Sequence, residues 1–156
     1  MQIDLIAVGK RMPAWIESGV KEYAKRLPKL INFNLIEITP AVRGKSNIAE
    51  NYKQKEEEKI LAAISAESLI IVLDEHGRLI SSQSLAGQLQ NWIDNQQHIS
   101  LIIGGADGLS KTILKKAHHT WSLSKMTLPH GLIRVMMVEQ IYRAWTITQN
   151  HPYHRE

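Results

Sequence analysis

Hydrophobic and polar positions along this chain follow two rhythms, short apolar runs and longer stretches with helical spacing. Residues 3–8 are the first apolar run and predict a buried strand. Residues 13–27 predict a helix: Pro13 suits a first helical position, and Trp15, Val20, Tyr23 and Leu27 form a partial apolar stripe. Residues 33–38 alternate apolar and polar, as a half-buried strand does. Residues 39–59 are the polar part of the chain. Within them Arg43-Gly44-Lys45 reads as an exposed basic loop, and Ser46 or Asn47 is suited to cap the next helix. The run Lys53, Lys55, Glu56, Glu57, Glu58 and Lys59 reads as that helix's solvated face. Residues 69–73 are a β-branched strand run ending at Asp74, residues 84–93 predict a helix, and residues 99–103 a further strand. Ser110 is placed to cap a helix over 111–118, residues 121–123 predict a short strand, and residues 132–148 a final helix. The order βαβαβαβαβα predicts an α/β fold, a mostly parallel sheet with helices on both faces.

Two of these patterns change the picture. The run 99–103 stops abruptly at Gly104-Gly105, and the run 121–123 opens into Ser124-Lys125-Met126-Thr127-Leu128-Pro129-His130. In open α/β sheets the crevice beyond the strand carboxyl ends is where small ligands bind, so these loops are expected to hold a cofactor or substrate. The final helix carries Leu132, Ile133, Val135, Met136, Met137, Val138, Ile141, Tyr142, Ala144, Trp145 and Ile147, leaving few polar positions. A helix apolar almost all round is buried on more than one side. Either a second subunit covers it, giving a homodimer, or its own domain does.

Composition narrows the classes. At 156 residues with 44% hydrophobic residues, the expectation is one domain over 1–156 with one sizeable core. No apolar run approaches the roughly 20 residues of a membrane span, and the N-terminus lacks a signal-peptide pattern. With no cysteine, disulfide and thiolate chemistry are excluded, and a cytoplasmic protein is expected. A net charge of +4 permits a polyanionic partner without requiring one. One Phe and four Tyr argue against an aromatic RNA-stacking platform.

Candidate chemistry follows. Gly104-Gly105-Ala106-Asp107-Gly108 lacks the Gly-Lys-Ser/Thr of a phosphate-binding loop and is not a dinucleotide fingerprint. It offers either bare backbone for a ligand or simply a tight turn. His118-His119 are read as helical neighbours whose rings diverge; with no cysteine and no spaced carboxylate, no metal site is expected. His130 is either structural or ligand-facing. The tail Asn150-His151-Pro152-Tyr153-His154-Arg155-Glu156 either frays or supplies an aromatic ring, imidazoles and a guanidinium for base stacking and proton transfer. Lys10, Arg11, Arg43 and Lys45 are candidate phosphate contacts.

Several segments together resemble the RlmH (YbeA-like) family of SPOUT methyltransferases. They are Ile6-Ala7-Val8-Gly9-Lys10, Arg43-Gly44-Lys45, Val72-Leu73-Asp74, residues 103–110 and 123–130, Arg134-Val135, residues 139–144, and Pro152-Tyr153-His154-Arg155-Glu156. The resemblance covers the whole chain. It implies a minimal SPOUT domain with a C-terminal trefoil knot, a rare exception to the rule against threading. It implies a homodimer that uses S-adenosyl-L-methionine to methylate N3 of a pseudouridine in large-subunit ribosomal RNA of assembled ribosomes. The cofactor would lie against Leu73, Gly104, Gly105 and the loop Leu123, Ser124, Lys125, Met126, Thr127 and Leu128. His130, Tyr153, His154 and Arg155 would carry the transfer: Arg155 would stabilise the developing imide anion, and His154 or His130 would take the proton. Another RNA target, such as transfer RNA, or a non-catalytic ribosome-binding factor are the competing expectations.

Overall fold

A computed structural model describes residues 1–42, 44 and 49–154. The elements alternate as β1 (Gln2–Val8), α1 (Ala14–Arg26), β2 (Asn32–Ile38), α2 (Ala49–Ala63), β3 (Leu69–Leu79), α3 (Ser82–Asp94), β4 (His98–Ile103), α4 (Lys111–Lys116), β5 (His119–Ser122) and α5 (His130–Thr148). The strands form one sheet in the order β2-β1-β4-β3-β5, and every pairing is parallel. All five strand carboxyl ends therefore lie at one edge, and the loops that follow them share that edge.

The two faces follow from side-chain alternation. Ile3, Leu5, Ile71, Leu73, Ile99 and Leu101 pack against Leu85, Leu89 and Trp92 of α3 and Met137, Ile141 and Ala144 of α5. Ile6, Val8, Val72 and Ile102 pack on the other face against Ile60 of α2 and Ile113 of α4. The central strands are apolar on both faces because helices cover both, as the continuous runs predicted. α1 lies beside α5, and its Gly19 lets Val135 approach within 3.1 Å of where a Cβ would stand. Ser110 caps α4 by accepting from the Ile113 N–H at 3.3 Å, as expected.

Five expectations are corrected. The inward stripe of α1 is carried by Ile16 and Val20, whereas Trp15 is 60% exposed, because one residue of helix turns it through roughly 100° away from Ile16. Glu56 is buried instead of solvated: Tyr52, Glu56 and Ile60 share the inward face at helical spacing, and Glu56 Oε1 accepts from the Ala41 N–H at 3.1 Å. β3 runs past Asp74 to Leu79, where a register shift between Leu73 and Arg78 lets the polar extension keep pairing with β5. Gly77 permits that contact, since a Cβ there would lie 2.7 Å from the Trp121 carbonyl carbon. His118 and His119 are not on a helix: α4 ends at Lys116, and His118 Nδ1 accepts from the Ile70 N–H at 2.9 Å. Finally, α5 begins at His130, ahead of Leu132.

α5 is covered on one side by its own chain. Met137, Val138, Ile141 and Ala144 are buried between the sheet, α1 and α3, while Leu132, Val135, Met136 and Tyr142 remain partly exposed. The proposed caps Ser46 and Asn47 lie outside the described residues.

Candidate active site

Beyond the ends of β4 and β5, beside the irregular stretch of β3 that follows Leu73, the loops enclose a cleft of ≈ 280 Å³. Leu73, Gly104, Gly105, Leu123, Ser124, Met126, Thr127 and Leu128 all line it, and so does His130. These residues, chosen from separate stretches of sequence, are brought together. Lys125 is exposed and lies outside the lining. Asp74, Glu75, Trp121 and Ile133 also line the cleft and were not anticipated. For Asp74 and Glu75 a signal existed: acidic residues close a strand run whose carboxyl end faces the same edge.

Each wall is held by local hydrogen bonds. Gly105 and Gly108 form an isolated bridge in which the Gly108 N–H donates to the Gly105 carbonyl at 3.0 Å. Both readings of Gly104 thus meet in one place, because a tight turn presents backbone to the cleft. A Cβ on Gly104 would stand 2.9 Å from Leu109 Cγ and 3.0 Å from the Gly108 carbonyl carbon, so the turn closes only on glycine. Opposite, the Met126 N–H donates to Ser124 Oγ at 2.9 Å and Ser122 Oγ donates to the Ser124 carbonyl at 2.7 Å. Thr127 Oγ1 donates to Glu75 Oε2 at 2.8 Å, tying this loop to the β3 extension. At the floor Trp121 stacks on Trp92 at 6.1 Å, and its buried indole N–H has no partner among the described residues.

The cleft adjoins the turn after β1. Arg134 is fully buried in α5; it donates to the Val8 carbonyl at 3.1 Å, the Gly9 carbonyl at 3.0 Å and Glu37 Oε2 at 2.8 Å. A Cβ on Gly9 would lie 3.7 Å from His130 Nε2. Lys10 and Arg11 follow this turn as exposed cations, Arg11 in the left-handed region at φ 57°. Arg43 and Lys45 lie outside the described residues.

The C-terminal tail is elsewhere. Tyr153 Oη donates to Glu139 Oε1 at 3.0 Å, and its ring meets Tyr142 edge-on at 4.8 Å. Glu139 is roughly 13 Å further along α5 than His130 at the helical rise. His154 Nε2 lies 3.4 Å from Gln83 Nε2 of α3, and its Nδ1 has no partner among the described residues. Burial pushes the Tyr153 phenol's pKa well above its ordinary value, and hydrogen bonding to Tyr23 and Glu139 adds to the effect. The phenol is therefore held protonated. Arg155 lies outside the described residues. Among the described residues no group of three or more His, Asp or Glu could hold a metal ion, and no helix is long and apolar enough to cross a membrane.

Comparison with known proteins agrees with this architecture. Residues 1–154 match the family model described as "Predicted SPOUT methyltransferase". The chain is 47% identical over 156 residues to "Ribosomal RNA large subunit methyltransferase H" of Hydrogenovibrio crunogenus, covering 100% of both chains. It is 50% identical over 155 residues to the protein of the same name from Herminiimonas arsenicoxydans, covering 99% of each. Among solved structures it resembles "a probable methylase family protein from Haemophilus influenzae Rd KW20", with a TM-score of 0.63 at 15% identity, covering 99% of this chain and 70% of that one.

Proposed function

The chain belongs to the SPOUT methyltransferase family, and from that premise we propose that it is an RNA methyltransferase acting on large-subunit ribosomal RNA. Its cofactor in this reading is S-adenosyl-L-methionine, its target N3 of a pseudouridine in the assembled ribosome, and its setting the cytoplasm. The observation that carries the reading is the cleft at the ends of β4 and β5, beside the irregular stretch of β3.

The residues present fit such a cofactor. The cleft combines main-chain polar groups on two walls with apolar cover from Leu73, Leu123, Leu128 and Ile133. That is the lining a small-molecule site needs, mostly apolar with a few placed polar groups. The backbone of residues 104–108 and 122–128 would take the polar edge of the adenine, and Leu73 and Leu128 would cover its ring. When bound, the cofactor supplies a methyl group already activated by its sulfonium. What remains for the chain is alignment and removal of one proton from the imide. His130 would accept that proton, a role supported by its position at the cleft and beside the β1 turn.

His154 and Arg155 would serve from the tail, Arg155 by stabilising the imide anion. The tail packs on its own α5 away from its own cleft, which supports a homodimer in which one subunit's tail completes the other's site. The partly exposed apolar side chains of α5 support the same arrangement. Tyr153, tied to Glu139 and held protonated, suits orientation better than proton removal. Lys10, Arg11, Arg43 and Lys45 would contact phosphates. The chain leaves β5 at the sheet edge and returns past the β4 turn to begin α5 beside β1, which supports a trefoil knot.

The test is incubation with labelled S-adenosyl-L-methionine and assembled ribosomes lacking the modification, followed by nuclease mapping and mass spectrometry. Label at N3 of one pseudouridine in large-subunit RNA is expected. Cofactor binding with label only on transfer RNA, or on no RNA, would overturn the substrate.

A further inference from the structure

α5 is an apolar helix interrupted by a charged pair, Glu139 and Arg143, and the pair is not spread into solvent. Their side chains are 14% and 28% exposed. Glu139 Oε1 accepts from Arg143 Nε at 2.9 Å, from Arg143 Nη2 at 2.6 Å and from the Tyr153 hydroxyl at 3.0 Å. Glu139 Oε2 accepts from Gln140 Nε2 at 2.7 Å. The Arg143 guanidinium also lies 4.9 Å over the Tyr153 ring. Tyr142 meets that ring on another side. One tail residue is thus gripped by its edge, its face and its polar tip.

The residues around it are held differently. Before Tyr153 the chain turns off the helix, with the His151 N–H donating to the Thr146 carbonyl at 2.9 Å. After it, His154 has the long Gln83 contact and an unpartnered Nδ1 among the described residues. Ordering a segment costs backbone entropy at every residue that is fixed. An exposed i,i+4 ion pair offsets little of that cost. The pair here is partly buried, its Arg–carboxylate contact uses two nitrogens, and it is shared with an aromatic ring and a hydroxyl. It has the build of a seat for that ring.

We infer that Glu139 and Arg143 are positioning residues for methyl transfer: they seat Tyr153 and so fix where His154 is presented. The inference rests on the methyltransferase reading above. It gives the two residues no contact with cofactor or RNA; they act through Tyr153 alone.

Three variants test it. Glu139→Ala removes the acceptor, Glu139→Gln keeps an acceptor oxygen, and Tyr153→Phe removes the hydroxyl while leaving α5 untouched. Carboxypeptidase release of the C-terminal residues reports the seat without reference to activity. Release about tenfold faster than native is expected for Glu139→Ala and Tyr153→Phe, the loss of a charge-assisted hydrogen bond. kcat on unmethylated ribosomes falls by about tenfold or more, while KM and calorimetric cofactor affinity stay within about twofold, the signature of a lost transition-state arrangement. Glu139→Gln restores most of both. Native-like tail protection in both disruptive variants would overturn the seat. Faster release with unchanged kcat would reduce the pair to a structural staple. If the native protein methylates no ribosomal RNA, the functional reading fails, and carboxypeptidase release still reports whether the seat exists.

Discussion

The two edges of one sheet are built on opposite principles. At the amino edge, Asp4 is buried and its carboxylate accepts from Asn34 Nδ2 at 2.9 Å, Gln2 Nε2 at 3.0 Å and His98 Nε2 at 2.6 Å. Ser68 and Ser100 share a hydrogen bond of 2.8 Å at the same edge. At the carboxyl edge, glycine turns present backbone to a cleft, and the Trp121 N–H stands without a protein partner among the described residues. Buried polar groups are costly unless paired. One edge pairs them and closes; the other leaves main-chain groups at a cleft where a ligand can reach them. Stability and function therefore separate along the strand direction, and variants at each edge should move different observables.

The largest effect is expected at the open edge. Gly104→Val forces a Cβ against Leu109 and Gly108; overpacking of about 3 kcal/mol should weaken S-adenosyl-L-methionine binding by about a hundredfold. Calorimetry checks this, and native affinity would break the comparison at its functional end. At the closed edge, Asp4→Ala should cost about 2 kcal/mol in urea unfolding by stranding three donors, with cofactor affinity unchanged. A loss of cofactor affinity instead would show that the edges are coupled.

The same carboxylate sets an acid limit. Burial alone would raise the Asp4 pKa, but hydrogen bonds from Asn34, Gln2 and His98 hold it below 3.8. The native state then binds fewer protons than the unfolded chain, so this stability is complete above 3.8 and fades as pH falls through the lower folded value. Urea midpoints measured from about pH 5 to about pH 2 should fall more steeply for the native protein than for Asp4→Asn. Parallel curves would deny Asp4 this role. The smallest effect is expected from Ser110→Ala, which removes the cap of the short α4 and should cost about 1 kcal/mol by the same unfolding assay.

What the sequence disclosed divides along similar lines. Strands buried on both faces announce themselves as apolar runs, and the cleft loops were legible because β4 and β5 end abruptly at residues 103 and 122. The extension 74–79 was not legible. Its residues are polar, and its pairing is set by the close approach of Gly77 to β5, a contact between distant segments. Glu56 and Trp15 misled for one reason: residue type suggested a face, and helical phase decided otherwise. Arg134 left a faint trace as the lone cation in the first turns of an apolar helix, yet nothing local says that it clamps the carbonyls of Val8 and Gly9.

The strand order carries a consequence for how the molecule is made. β1 is synthesised well before β4, yet β4 is one of its two partners, with Ile3 opposite Ile99. Until the chain has emerged beyond residue 103, one edge of β1 is bare and apolar. Such long-range parallel pairing slows folding and exposes adhesive intermediates. Over that interval the nascent chain carries an apolar strand edge open to pairing with a neighbour's, which β4 closes only when it arrives.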